Sequence, residues 1–180
     1  MNGVFPNNEN GGLAGALDKF VLGVGQAAAW LNGLLVLVIV LQVTLRYVFK
    51  SGLVALEELE WHLYAESFLL GLSYSLTRGS HVRMDLLYER FSSRVREWVE
   101  IVGLVALVLP FTVVFFIHGV EFTWRAYELG EYSSAPLGLP FRWIIKSAIP
   151  VSCVLLFLAA LARILRGIQT LRKGDEYDSQ

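Results

Sequence analysis

The chain has 180 residues, 55% of them hydrophobic and 17% charged, with a mean hydropathy of +0.54 and a net charge of −1. An apolar share above the ~45–50% usual in soluble domains, in a length that suits one folded unit, points to the membrane. The near-neutral balance excludes a broad basic nucleic-acid surface, and the single cysteine, Cys153, excludes an internal disulfide framework and a cysteine metal cage.

Residues 1–20 are rich in Asn and Gly, with Lys19 the only positive charge, and read as a polar N-terminal segment that is not a cleaved signal peptide. Val21 to Leu45 follows as 25 residues without a charge, enough alone for the ~20 residues a bilayer core needs. The first span is placed at about 21–45. Trp61 to Leu76 is apolar overall but holds His62 and Glu66; a second span is placed at about 59–77, since a central acid costs ~2.5–3.5 kcal/mol on insertion scales and Leu, Phe and Tyr surround it.

In the next stretch Met84, Leu87, Phe91, Val95 and Trp98 recur at helical spacing, with arginines on the other face. This predicts an amphipathic helix over about 84–98, lying in the inner headgroup region against anionic lipid. Ile101 to Val120 is a further uncharged run of 20 residues, so a third span is placed at about 100–120. Glu121 to Arg142 contains GEYSSAPLGLP and reads as an irregular outer connection. Ser147 to Ala162 extends back through a snorkelling Lys146 to Trp143 and Phe141, giving a fourth span at about 142–163. Residues 167–180 read as a short polar tail.

The expected architecture is therefore an all-α integral membrane protein, a single domain over residues 21–166 with four spans and an inner amphipathic helix between the second and third. With both termini cytoplasmic, ten of the 15 Lys and Arg fall inside and five outside. Three spans with the N-terminus outside also obey the positive-inside rule, so hydropathy and not charge selects four.

Small residues recur four apart as Gly25, Ala29 and Gly33 in the first span and as Gly71, Ser75 and Gly79 in the second. Such stripes let helix backbones approach closely, inside the chain's own bundle or on a partner. Glu57, Glu58 and Glu60 cluster with His62 at the outer end of the second span. No second Glu/His set accompanies them, as a di-iron bundle requires, so they read as a solvated acidic face. His62 and His118 fall at a similar outer depth, which leaves open a haem-bearing anchor of an electron-transfer complex. Glu66 is the one candidate site for a small free-standing carrier. No phosphate loop or nucleophile elbow is present, and no catalytic role is read. Glu66 is expected to be buried against protein, in a polar seam with His62 and Ser73 that packs on Gln26 or Asn32 or on a partner.

The run from Arg46 to Arg94 resembles the small membrane subunit of tripartite ATP-independent periplasmic (TRAP) transporters, the DctQ-like family. Arg46, Tyr47 and Phe49 match its Arg-Tyr-x-Phe after the first span, and Glu57 and Glu58 its acidic pair. Leu70 and Gly71 match a Leu-Gly inside the second span, and His81, Val82, Arg83 and Asp85 the His-Val-Arg-x-Asp at its inner turn. The likeness covers roughly residues 20–165. It implies a non-catalytic scaffold in a bacterial inner membrane, bracing a large multi-span subunit and helping to dock a periplasmic solute-binding protein. It further implies sodium-coupled uptake of organic acids, sodium being held by the large subunit and no cofactor by this chain. His81, Arg83 and Asp85 are expected to form a structural clasp at the inner face, with Asp85 at the start of the amphipathic helix.

Overall fold

The computed structural model describes residues 13–78 and 92–178. Among these the chain is helical: α1 is Leu13–Tyr47, α2 is Val54–Arg78, α3 is Ser93–Gly103, α4 is Leu109–Glu128 and α5 is Trp143–Asp178. A single π-helical turn, Leu104–Val108, joins α3 to α4 without a break in the rod, its i,i+5 bond running from Leu109 N–H to Leu104 O. The turn widens one step before Pro110, whose ring would crowd the carbonyl four residues back and which has no N–H to give.

Three stretches are long and apolar enough to cross a membrane: Ala14–Tyr47, Arg94–Glu128 and Trp143–Arg172. α2 is long enough at 25 residues but not apolar enough, because Glu57, Glu58, Glu60, Glu66 and its serines dilute its Leu and Phe. Composition thus gives three spans among the described residues, where the sequence reading placed four.

α1 packs along α2, α2 along α5, and α5 along α4. α5 is the hub: 44% of its most apolar stretch is buried, against 17% for each of the other two. Its hidden face is built from Ala148, Ala159, Ala160 and Ala162, whose small side chains admit close neighbours. Ile101, Leu104, Ala160 and Ile164 form a core that Leu76, Val108, Leu109 and Leu171 complete. Gly119 lies against Pro150; a Cβ there would come within 3.0 Å of Ile149 Cγ2 and 3.3 Å of the Pro150 ring.

Several boundaries differ from the sequence reading, each for a nameable reason. The outer connection is irregular only from Leu129, since α4 continues to Glu128 on the Arg125–Glu121 (2.5 Å) and Trp124–Glu128 (2.7 Å) pairs one turn apart. It ends in a left-handed Gly130 (φ 55°) with Glu131 N–H bonded to Ala126 O, the Schellman pattern. The C-terminal tail is helix to Asp178, held where Leu171 joins the core and Arg166 reaches Asp18. The polar N-terminal segment already carries helix from Leu13. Of the expected amphipathic helix, residues 84–91 lie outside the described residues; 93–98 open α3, N-capped by Ser92, and run straight into the third span.

Candidate functional site: two polar belts and a latched loop

Polar contacts between helices gather at the two ends of the bundle. At the first end, Gln42 Nε2 donates to Glu57 Oε1 at 3.2 Å and Arg46 pairs with the same oxygen at 3.5 Å, tying the exit of α1 to the entry of α2. One residue on, Glu58 turns to the 129–142 loop. Its Oε1 accepts from the Ser133 hydroxyl and its Oε2 from Leu139 N–H at 2.6 Å. The Ser133 bond first, and the Leu139 bond second, hold the Glu58 carboxyl below the usual carboxylate range.

The loop is shaped to reach this carboxylate. Ser133 N–H bonds Leu139 O at 3.4 Å, and Gly138 N–H bonds Ala135 O at 3.1 Å. Leu137 and Phe141 take left-handed backbone angles (φ 63° and 61°). Gly138 has no room for a side chain: a Cβ would overlap Ser133 Cβ and sit 2.8 Å from Glu58 Oε2. The loop's far side is held by an ion pair between Lys146 and Glu131, with the Lys146 ammonium 3.9 Å from the Phe122 ring centre. Leu137, 91% exposed, stands at the loop's tip.

At the second end, Arg163 on α5 grips two acids of α3. It meets Glu100 at 2.8 and 2.6 Å and both oxygens of Glu97 at 3.2 Å, with its side chain 15% exposed. Arg166, one turn further on, pairs with the buried Asp18 of α1. On α1 the belts are 24 positions apart, about 36 Å at ~1.5 Å per residue, and on α2 Glu58 and Arg78 are about 30 Å apart. A bilayer core is ~30 Å thick.

The sequence-derived residues fall into three groups. Arg46, Glu57 and Glu58 are brought together at the first belt; Tyr47 and Phe49 stand exposed on its rim. His62 donates from Nδ1 to the Glu58 carbonyl of its own helix. His118 points out of the bundle, 73% exposed and 4.0 Å from Glu121. Glu66 is half-buried and makes no hydrogen bond to another described residue. In the expected seam, Ser67 and not Glu66 reaches Asn32, at 3.2 Å, while Ser73 bonds its own helix. Gly25 is in tight contact, its Cβ position 2.6 Å from Tyr74, but Gly71 has nothing within 4 Å of its own. His81, Arg83 and Asp85 lie outside the described residues. The Arg163–Glu97–Glu100 and Asp18–Arg166 contacts went unread, although the i,i+3 spacing of Glu97/Glu100 and of Arg163/Arg166 was a usable signal.

Residues 35–170 match the family described as tripartite ATP-independent periplasmic transporters, DctQ component. The chain belongs to the DctQ family. It is 27% identical over 138 residues, 74% of its length, to a protein of Haemophilus influenzae (strain 86-028NP) described as the sialic acid TRAP transporter permease protein SiaT. The DctQ chain spans about a fifth, 21%, of that relative's length. DctQ is a transporter component and not an enzyme family, in keeping with the apolar helices described above.

Proposed function

We propose that this DctQ protein is the small membrane subunit of a sodium-coupled TRAP transporter for organic acids. It braces a large multi-span subunit and helps to dock a periplasmic solute-binding protein. The observation that carries this reading is the pair of polar belts a bilayer's thickness apart, with the exposed apolar faces of α1 and α4 between them to meet lipid and a partner. α2 packs against α1 and α5 and has Glu57 and Glu58 at one belt and Arg78 toward the other, so it serves as a fourth crossing, with the Trp61, Tyr64 and Phe68 face open to lipid or a partner. Its acids are tolerable because Glu57 and Glu58 stand at the belt and Glu66 is half-buried.

The Asp18 end carries Lys19, Arg78, Arg94, Arg96, Arg163, Arg166 and Arg172 and is assigned to the cytoplasm of a bacterial inner membrane, with both termini there. The latched loop then faces the periplasm as a rigid docking face. Organic acids are supported by the relative named for sialic acid, itself a carboxylated sugar. Sodium and substrate are assigned to the large subunit, and no cofactor to this chain.

The test is reconstitution of the tagged chain with the large subunit and the binding protein in liposomes. Uptake of an organic acid is expected only with all three and an inward sodium gradient. Full uptake without this chain, or uptake by this chain alone, would contradict the scaffold role.

A further inference from the structure

A groove of about 220 Å³ runs between α1 and α2 midway between the belts. Its floor is small, with Ala29 on one side and Gly71 on the other, and space is open above Gly71. Its rims are polar. Gln26 is exposed and makes no hydrogen bond to another described residue; Asn32 accepts from Ser67, which leaves its amide N–H groups free to donate. Both carboxamides lie in the central part of the Asp18–Gln42 stretch, where the surroundings are hydrocarbon and no water is at hand to satisfy them. Tyr74 closes the end of the groove over Gly25.

We infer that this groove seats a transmembrane helix of a second membrane protein, one that sets a small residue against Ala29 and Gly71 and a hydrogen-bonding side chain against Gln26 and Asn32. Unpaired carboxamides at this depth are complementary to a polar side chain and not to an acyl chain. A small-residue floor is what close helix approach in lipid requires. The inference rests on the reading of the chain as one part of a multi-part permease, which supplies the partner; a chain that spans a fifth of its relative leaves ample sequence elsewhere for such a helix.

The experiment compares matched substitutions at one depth of α1, using the whole chain co-expressed with a tagged large subunit. Ala29→Phe fills the groove, whereas Ala27→Phe places the same ring on the other flank of the helix, also exposed. Gln26→Leu removes a rim carboxamide while making α1 more apolar and breaking no described contact. Recovery with the large subunit is expected to fall at least tenfold for Ala29→Phe and several-fold for Gln26→Leu, and to be unchanged for Ala27→Phe. Circular dichroism and gel filtration of each variant alone check folding, and if Ala29→Phe misfolds, Gln26→Leu decides. Wild-type recovery for the groove variants overturns the inference. So does retention of the partner with loss of a bound phospholipid in native mass spectrometry, or a change in self-association alone. Failure of the wild-type chain to co-purify at all would instead overturn the scaffold reading.

Discussion

Glu58 and Leu139 are 81 positions apart in the chain and joined by a 2.6 Å hydrogen bond from the Leu139 N–H to the Glu58 carboxylate. With the Ser133 hydroxyl on the other oxygen, one acid at the mouth of α2 fixes the shape of a loop that has little hydrophobic cover of its own. Glu58→Ala should leave the helices intact and raise hydrogen exchange and protease cleavage across residues 129–142. Gly138→Ala should do the same from the other side, because its new methyl meets Ser133 and Glu58. Unchanged exchange in both variants would show that the loop is held elsewhere.

The latch has a defined pH dependence. The folded-state pKa of Glu58 is lowered, so its contribution is complete above the unfolded value and is lost as pH falls through the folded one. Loop exchange, corrected for its intrinsic pH dependence, should stay flat from pH 8 to 5 and rise only below the ordinary Glu value of about 4.3. Glu58→Gln should show the raised level already at neutral pH, with no acid step.

At the other belt, Arg163 neutralises two acids that are themselves largely hidden, with side chains 23% and 21% exposed. Arg163→Met withdraws the guanidinium that Glu97 and Glu100 share, and removing one side of a buried pair costs about 3–5 kcal/mol. Adding Glu97→Gln and Glu100→Gln should recover a large part of that loss in thermal or denaturant unfolding in detergent. A single variant as stable as the wild type would contradict a closed clasp.

The α1–α2 contact can be probed with two glycines on one helix. Gly25→Ala places a Cβ 2.6 Å from Tyr74 and should cost about 1–3 kcal/mol, as overpacking does. Gly23→Ala meets nothing within 4 Å and should be neutral or stabilising by about 0.5–1 kcal/mol, the usual gain of Ala over Gly inside a helix.

The uncharged runs of α1, α4 and α5 announced three crossings, and the small residues of α1 announced a close contact, which Gly25 makes. What the sequence concealed is what depends on distant partners. Glu58 reads as a solvated acid until Ser133 and Leu139, 75 and 81 positions away, are brought to it. The polar end of α5 reads as a loose tail until Asp18 of α1 is placed beside Arg166. Gly71 looked like a packing residue because spacing gives the face of a helix, not what stands opposite it. Glu66 is expected to be kept from lipid; it is half-buried and makes no hydrogen bond to another described residue.

Whether α2 crosses the bilayer is the point on which the account turns, and a periplasm-active reporter fused on either side of it measures this directly. Fusion after Lys50 should be active and fusion after Arg90 silent, with a fusion after Ser134 active again. Equal activity after Lys50 and Arg90 would leave α2 on one side of the membrane and contradict the four-crossing scaffold.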